Sequence, residues 1–456
     1  MKLRPFVVAH ALAAAALLDA GPHAAELLTP ESAVALALAN HPVLRAADRD
    51  LDAAVADGKL ARSGWLPRLD LTEDWVRSTN PVFVFASKLG QERFAMTDFD
   101  IAALNHPDPF TNAATRVVLR QNVWDAGRTH LYTKAAGFGV DASTGSRERT
   151  REEVAFGATR AFWDAVLAKE FVEVTRAAEE AARANADLAR RHEEAGLSVA
   201  SDRMSAEVRL AEVQAMRIRA EQGATVARAA LRQALGIGED REFELAPPAI
   251  EPGRAEGDVE SRVAEALVNR PDLRSLDARL EQATVGEKIA RSHRLPEIGV
   301  GAQAEWNGSS LLGNDGNNWS AGVSVRWPVF DGLETSARAA RAAADREKVV
   351  AYRQATSEGI RLEVRAAWAD RTAAAERIAV AKSALSQAEE ALRIVRDRYD
   401  EGMAVMVELL GAEAARTAAE GNRAAASRDL AIATAALDLA SGRGTAAAGA
   451  AAAEER

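Results

Sequence analysis

Cysteine is absent from all 456 residues. Its absence excludes disulfides, thiolate metal sites, cysteine nucleophiles and lipid attachment through an N-terminal cysteine. Aromatic residues make up only 5% of the chain, too few to fill a thick globular core. Basic residues are in the minority: 57 Lys and Arg against 67 Asp and Glu leave a net charge of −10. Nucleic acid is therefore not an expected partner, since binding it needs a basic face. The seven histidines are scattered, with no His-Glu-x-x-His pattern and no i,i+4 pair. No P-loop occurs, and Gly137-x-Gly139, Gly236-x-Gly238 and Gly299-x-Gly301 lack the third glycine of a dinucleotide site. Asn314-Asp315-Gly316-Asn317 has the start of a calcium loop without its trailing ligands and reads as a turn. No metal, cofactor or active site is expected, and the chain is not read as an enzyme.

Long apolar runs are also missing, with one exception at the N-terminus. Lys2 and Arg4 precede Phe6–Leu18, which is broken only by His10, and small residues follow around Ala20–Ala25. This is the pattern of an export signal, taken as residues 1–25. No clean small-x-small site marks the cleavage point within 20–25. Thirteen residues fall short of the ~20 that a spanning helix needs. Any membrane insertion further along must therefore be by β-strands.

What the chain does have is the same message twice. Residues 37–67 align with 266–296 without a gap, and 15 of those 31 positions are identical. The shared skeleton includes Asn40/Asn269, Pro42/Pro271, Leu44-Arg45/Leu273-Arg274 and Ala61-Arg62-Ser63/Ala290-Arg291-Ser292. The shift of 229 falls to 206 further on, where Asp125/Asp331, Gly196/Gly402, Glu207/Glu413 and Gly236/Gly442 correspond. The difference of 23 residues is an insertion in the first copy only, between Pro67 and Val123. A unit of over 200 residues is far too long for a solenoid repeat. Two similar halves packed as one pseudo-symmetric body are implied.

Each half reads helix, strand, strand, long helix, return helix. The first half, 26–236, predicts helices at about 30–63, 127–195 and 199–235, and strands at about 66–77 and 114–124. The second half, 261–442, predicts helices at about 261–293, 333–401 and 404–440, and strands at about 296–306 and 318–329. Residues 237–260, with Gly236, Gly238, Pro247-Pro248 and Pro252-Gly253, read as a linker, and 443–456 as a disordered tail. The strand assignments rest on period-two alternation. Ile298, Val300, Ala302, Ala304 and Trp306 alternate with Glu297, Gly299, Gly301, Gln303 and Glu305. Val117, Leu119 and Val123 alternate likewise with Arg116, Arg120 and Asn122. Gly127 to Gly196 and Gly332 to Gly402 run 70 and 71 residues without proline. Helices of that length would be roughly 105 Å long at 1.5 Å per residue. Leu385, Ala388, Leu392, Val395 and Tyr399 step by 3 and 4, the seam of a coiled coil.

Four tryptophan-flanked strands, apolar on one side, fit the ~9–11 residues of a tilted outer-membrane strand. Their other face is polar, as a water-filled lumen requires. Four strands alone would leave open edges unpaired in lipid. Two chains would make about eight strands, a size whose interior is filled by side chains; three would make about twelve and leave room for a pore. The competing reading is a soluble β-sandwich beside a helical bundle. Two matched, unbroken helices of such length have no use in a sandwich.

The chain resembles the TolC-type outer membrane efflux proteins, over about residues 30–442. The marks are the twice-occurring Asn-x-Pro-x-Leu at Asn40 and Asn269, and the Ala-Arg-Ser-x-x-Leu-Pro entry into a strand. Trp124-Asp125, Phe330-Asp331-Gly332 and the turn Arg398-Tyr399-Asp400-Glu401-Gly402 complete the set. The resemblance implies a homotrimer, mainly α, whose strands form a 12-stranded barrel in outer-membrane lipid and whose helices form a periplasmic tunnel. It implies passive export with a periplasmic adaptor and an inner-membrane pump, for efflux or type I secretion. By the same resemblance, Gly196, Leu197, Ser198, Gly402, Met403 and Ala404 are the hairpin tips that meet the adaptor. Tyr399 and Asp202 match the positions of the periplasmic gate, and Glu408 an acidic ring. The family's arginine two residues past the second tip glycine is Ala404 here, and the next acidic position is Gly411. A weaker latch and cation filter follow. The insertion, about 80–112, falls between the first two strands as a long external loop whose conformation the sequence leaves open. The alternative function is a secreted coiled-coil scaffold without channel activity.

Overall fold

A computed structural model describes residues 26–239, 241–250 and 257–444. The export signal assigned to 1–25 and the tail beyond 444 lie outside the described residues. The chain begins β1 (Glu26–Leu28), α1 (Pro30–Asn40), α2 (Pro42–Arg62), β2 (Arg68–Ser78), α3 (Pro81–Gly90), α4 (Ile101–Asn105), β3 (Phe110–Trp124), α5 (Arg128–Glu194) and α6 (Ala200–Leu235). It continues β4 (Phe243–Leu245), α7 (Val259–Asn269), α8 (Pro271–Ser292), β5 (Glu297–Gly308), β6 (Gly316–Arg326), α9 (Glu334–Asp400) and α10 (Met406–Ala440). These elements form two compact units. One comprises the described residues of 26–37, 158–250 and 381–428; the other, those of 38–157, 257–380 and 429–444.

The helices expected over 30–63 and 261–293 are each two helices, and the prolines of the repeated Asn-x-Pro are the reason. Proline has no N–H and pushes the preceding residue out of the α region. His41 and Arg270 accordingly sit extended, at ψ 127° and 126°. A new helix starts with proline in its first turn, where no N–H is missed.

Each long helix has the same start. Asp125 and Asp331 accept from the backbone N–H of Thr129 (2.7 Å) and Thr335 (2.9 Å), and from the two threonine hydroxyls. These bonds satisfy helix-start donors that would otherwise be orphaned.

In the unit holding the helical hairpins, small side chains let the backbones come close. Ala186, Ala189 and Ala206 are buried with Met406, Leu409 and Leu410, and Leu392, Val395 and Tyr399 of the predicted seam pack on that cluster. Further along the same hairpin, Ala178 and Ala182 pack with Val213. The stretch read as a linker is not all loop. Its β4 pairs in parallel with β1, in the register Glu26 to Phe243 and Leu28 to Leu245. Phe243 is buried, with the Arg228 guanidinium 4.8 Å from its ring centre. An isolated three-residue pairing carries no period-two signal, so composition alone could not reveal it.

In the other unit, Val263, Ala266, Leu273, Ile360, Val364 and Ala440 form a core. Arg270 is buried beside it, donating to Asp272 (2.7 Å), Glu363 (2.6 Å) and the Ala440 carbonyl (3.3 Å). This unit also carries a four-stranded antiparallel sheet in the order β2-β3-β5-β6. Among the described residues no helix is long and apolar enough to cross a membrane.

Candidate functional site

The sheet register decides which side chains share a face, because directly opposed residues in antiparallel strands point the same way. One row runs Leu69, Leu119, Ala302, Ala321; the next runs Leu71, Val117, Ala304, Trp319. Val300 opposes Val323 and Ile298 opposes Val325 on this same face. These apolar side chains are not covered: Leu71 is 69% exposed, Val323 72% and Trp319 78%. Exposed apolar surface on this scale marks a face that meets protein or lipid.

The opposite face is charged. Arg116 on β3 donates to Glu305 on β5 at 2.8 Å and lies 3.6 Å from Asp74 on β2. Arg120 pairs with Asp70 at 3.3 Å. Gln303 and Ser320 occupy this face too, together with the apolar Val76, Phe110, Ala114 and Val118. One reading from simple alternation needs correction at the base of β3. A bulge between Asn122 and Trp124 breaks the period, so Trp124 opposes Ile298 on the apolar face. Val123 is the extra residue within the bulge, which the twofold pattern had placed among the apolar positions.

The hairpin tips belong to the other unit. Gly196 and Gly402 take φ of 72° and 74°, a left-handed turn that glycine adopts at no steric cost. The Leu197 N–H donates to the His192 carbonyl (2.8 Å) and the Gly196 N–H to Glu193 (2.9 Å). In the second hairpin Met403 donates to Arg398 (2.7 Å) and Gly402 to Tyr399 (3.0 Å). Both tips are thus the same Schellman closure, which satisfies the last helix carbonyls. Beyond each glycine the apolar side chains point to solvent: Leu197 and Val199 at one tip, Met403 and Val405 at the other. Ser198 and Ala404, between them, are half-buried.

Tyr399 and Asp202 are brought near one another, but among the described residues no hydrogen bond joins them. Burial raises the Tyr399 phenol above its ordinary value, and the Asp202 and Asp400 carboxylates add to the effect. Tyr399 instead stacks on His192, ring centres 6.2 Å apart, an element the sequence reading missed because His192 sits in no motif and lies over 200 residues away in the chain. Glu408 lies exposed in the first turn of α10. A second missed element is Arg203 of α6, which reaches across the tip to Glu193 of α5 (2.6 Å) and also pairs with Glu207 (2.8 Å) one turn along its own helix.

A sequence profile of the outer membrane efflux proteins matches residues 33–237 and 263–443. The chain belongs to this family. As an outer membrane efflux protein it is the channel component of an efflux or secretion system, placed in the outer membrane with a periplasmic extension. Protein CyaE of Bordetella pertussis is 24% identical over 387 residues, spanning 84% of this chain and 77% of CyaE. A crystal structure of a Pseudomonas aeruginosa membrane protein superposes with a TM-score of 0.76 at 21% identity, over 91% of this chain and 92% of that one. The Campylobacter jejuni CmeC outer membrane channel gives 0.75 at 18% identity, covering 91% and 86%. The two structural likenesses establish the efflux-protein fold for the described chain. The family is one of channels and not of enzymes.

Proposed function

We propose that three copies of this chain assemble into one conduit. The observation that carries the proposal is the sheet. Among the described residues β2 and β6 each have a strand partner on one side only, and one face is mostly apolar, with Leu69, Leu71, Trp319 and Val323 exposed on it. Open edges cannot stand in lipid, where every backbone polar group must be paired within protein. Pairing β6 of one chain with β2 of the next removes the edges, and three chains give about twelve strands with a water-filled interior. The charged face carrying Arg116, Glu305, Arg120 and Asp70 then lines the lumen.

In this reading the conduit is passive. Its cargo arrives from an inner-membrane pump through a periplasmic adaptor, as in tripartite efflux or type I secretion. The adaptor engages the apolar tips at Leu197 and Met403, held by Gly196, Ser198, Gly402 and Ala404. Tyr399 and Asp202, with the acidic Glu408 nearby in sequence, narrow the periplasmic entrance. The experiment is extraction and electrophoresis: the protein leaves the outer membrane only with detergent, as a heat-sensitive trimer that conducts in planar bilayers. A soluble periplasmic monomer would instead identify a coiled-coil scaffold.

A further inference from the structure

The insertion between β2 and β3 is a folded piece rather than a loose loop. α3 starts at Pro81 with the Asn80 side chain accepting from the Phe83 N–H (3.1 Å). Phe85, Phe94 and Phe99 then pack edge to face, with ring centres 4.8 and 5.2 Å apart. Lys88 bonds Asp98 at 2.7 Å. Gln91 fastens this piece to the sheet. It is 1% exposed, and its amide nitrogen donates to the Thr111 carbonyl (2.9 Å), Asn112 Oδ1 (2.8 Å) and the Gly308 carbonyl (2.9 Å).

The side on which the insertion lies follows from the register. Phe110 and Asn112 share the face of Arg116 on β3, Asn307 that of Glu305 on β5, and Gly316 that of Ser320 on β6. All are charged-face positions, and the insertion meets each of them. Lys88 and Arg93 lie over the Phe110 ring, at 6.0 and 5.8 Å. Asn112 bonds both Gln91 and Asn307 (2.8 Å each). A Cβ on Gly90 would stand 3.3 Å from Asn307 Cγ, and one on Gly316 only 2.4 Å from the Gly90 carbonyl oxygen. The short β5–β6 turn leans the other way, its Leu312 N–H donating to Glu73 (3.1 Å) on the apolar face.

We propose that residues 81–105 form a fixed helical collar folded inward over the lumen side of the outer mouth, narrowing the exit. The inference rests on the channel reading above. The exposed Val82, Met96 and Ile101 face the water path in one chain and cover the matching surface of the other collars in three.

Because the chain has no cysteine, Gln303→Cys offers a single thiol on the lumen face. Intact cells carrying it would be treated from outside with a small methanethiosulfonate and, separately, a polyethylene-glycol maleimide. The small reagent is expected to label, and the bulky one not. Replacing 81–106 by a short Gly-Ser turn, changing Gly316→Ala, or combining Met96→Glu with Ile101→Glu should each let the bulky reagent label as fully as the small one. Bulky labelling of the unaltered collar as fast as of the shortened chain would overturn the proposal. Failure of the small reagent to label any version would instead overturn the channel reading and the collar with it.

Discussion

Asn185 on α5 donates its side-chain amide to the Glu413 carboxylate on α10 over 2.7 Å, with both residues buried. Arg396 on α9 reaches the other carboxylate oxygen at 3.1 Å. A single buried acid on the return helix of the second repeat thus ties together the long helices of both repeats. Polar groups buried this way fix register, since any slip leaves them unpaired.

Removing the donor should therefore hurt more than neutralising the acceptor. Asn185→Ala leaves a buried carboxylate oxygen unsatisfied, at a cost of about 1–3 kcal/mol. Glu413→Gln retains an oxygen for Asn185 and should cost less. Thermal unfolding of the detergent-solubilised protein checks the order; equal midpoints for the two variants would show that the contact does not set the packing.

Burial raises the Glu152 carboxyl above the usual glutamate range, with the Arg149 guanidinium opposing the shift. The sign follows directly. The folded chain favours the protonated form, so this group's contribution is present in acid and is lost as pH rises through the raised value. Glu152→Gln should accordingly melt higher than the parent at about pH 7.5, with the gap closing towards about pH 4.5. Arg149 keeps Glu153 at 2.9 Å in that variant, so no unpaired cation confuses the comparison. A parent chain that melts higher at the upper pH would contradict the account.

At the hairpin tips, shape and chemistry can be separated. Gly196→Ala and Gly402→Ala force a side chain into the left-handed region, costing roughly 1–2 kcal/mol each, and should fray both tips. Leu197→Glu with Met403→Glu leaves the backbone closure alone and removes only the apolar surface. Trimers of that variant should form normally and fail to co-purify with the adaptor. Retained co-purification would move the docking surface elsewhere.

The proposed entrance depends on packing more than on a hydrogen bond. Tyr399→Phe preserves the stack on His192 and the contact with the Met406 cluster, so single-channel conductance should barely change. Tyr399→Ala removes both and should raise it. If the two variants conduct alike, Tyr399 does not narrow the entrance.

Much of this architecture was legible in the chain, for identifiable reasons. The alternation of Ile298 to Trp306 gave the facing of β5, since period two is a direct consequence of strand geometry. The tip glycines showed through their repetition at a constant shift. The prolines after Asn40 and Asn269 are visible in the chain, but the pattern stays helical on both sides of them and so does not by itself report a break. The Trp124 bulge, the β1–β4 pairing and the Gln91 anchor depend on partners distant in sequence, and no local period reports them. Glu413 stands out only as the counterpart of Glu207, and its partner Asn185 carries no signal in the sequence.

The account stands on the two faces of one sheet. Val300 and Gln303 lie three residues apart on β5, the first opposite Val323 and the second opposite Ser320. Val300→Arg puts a charge on the lipid side near mid-membrane, at a cost of about 2–4 kcal/mol, while Gln303→Arg adds one to a face that already holds Arg116 and Arg120. Gel mobility of unheated outer-membrane extracts measures assembly of each. The account predicts that the heat-sensitive trimer is lost with Val300→Arg and retained with Gln303→Arg; equal assembly of both, or the reverse, would contradict it.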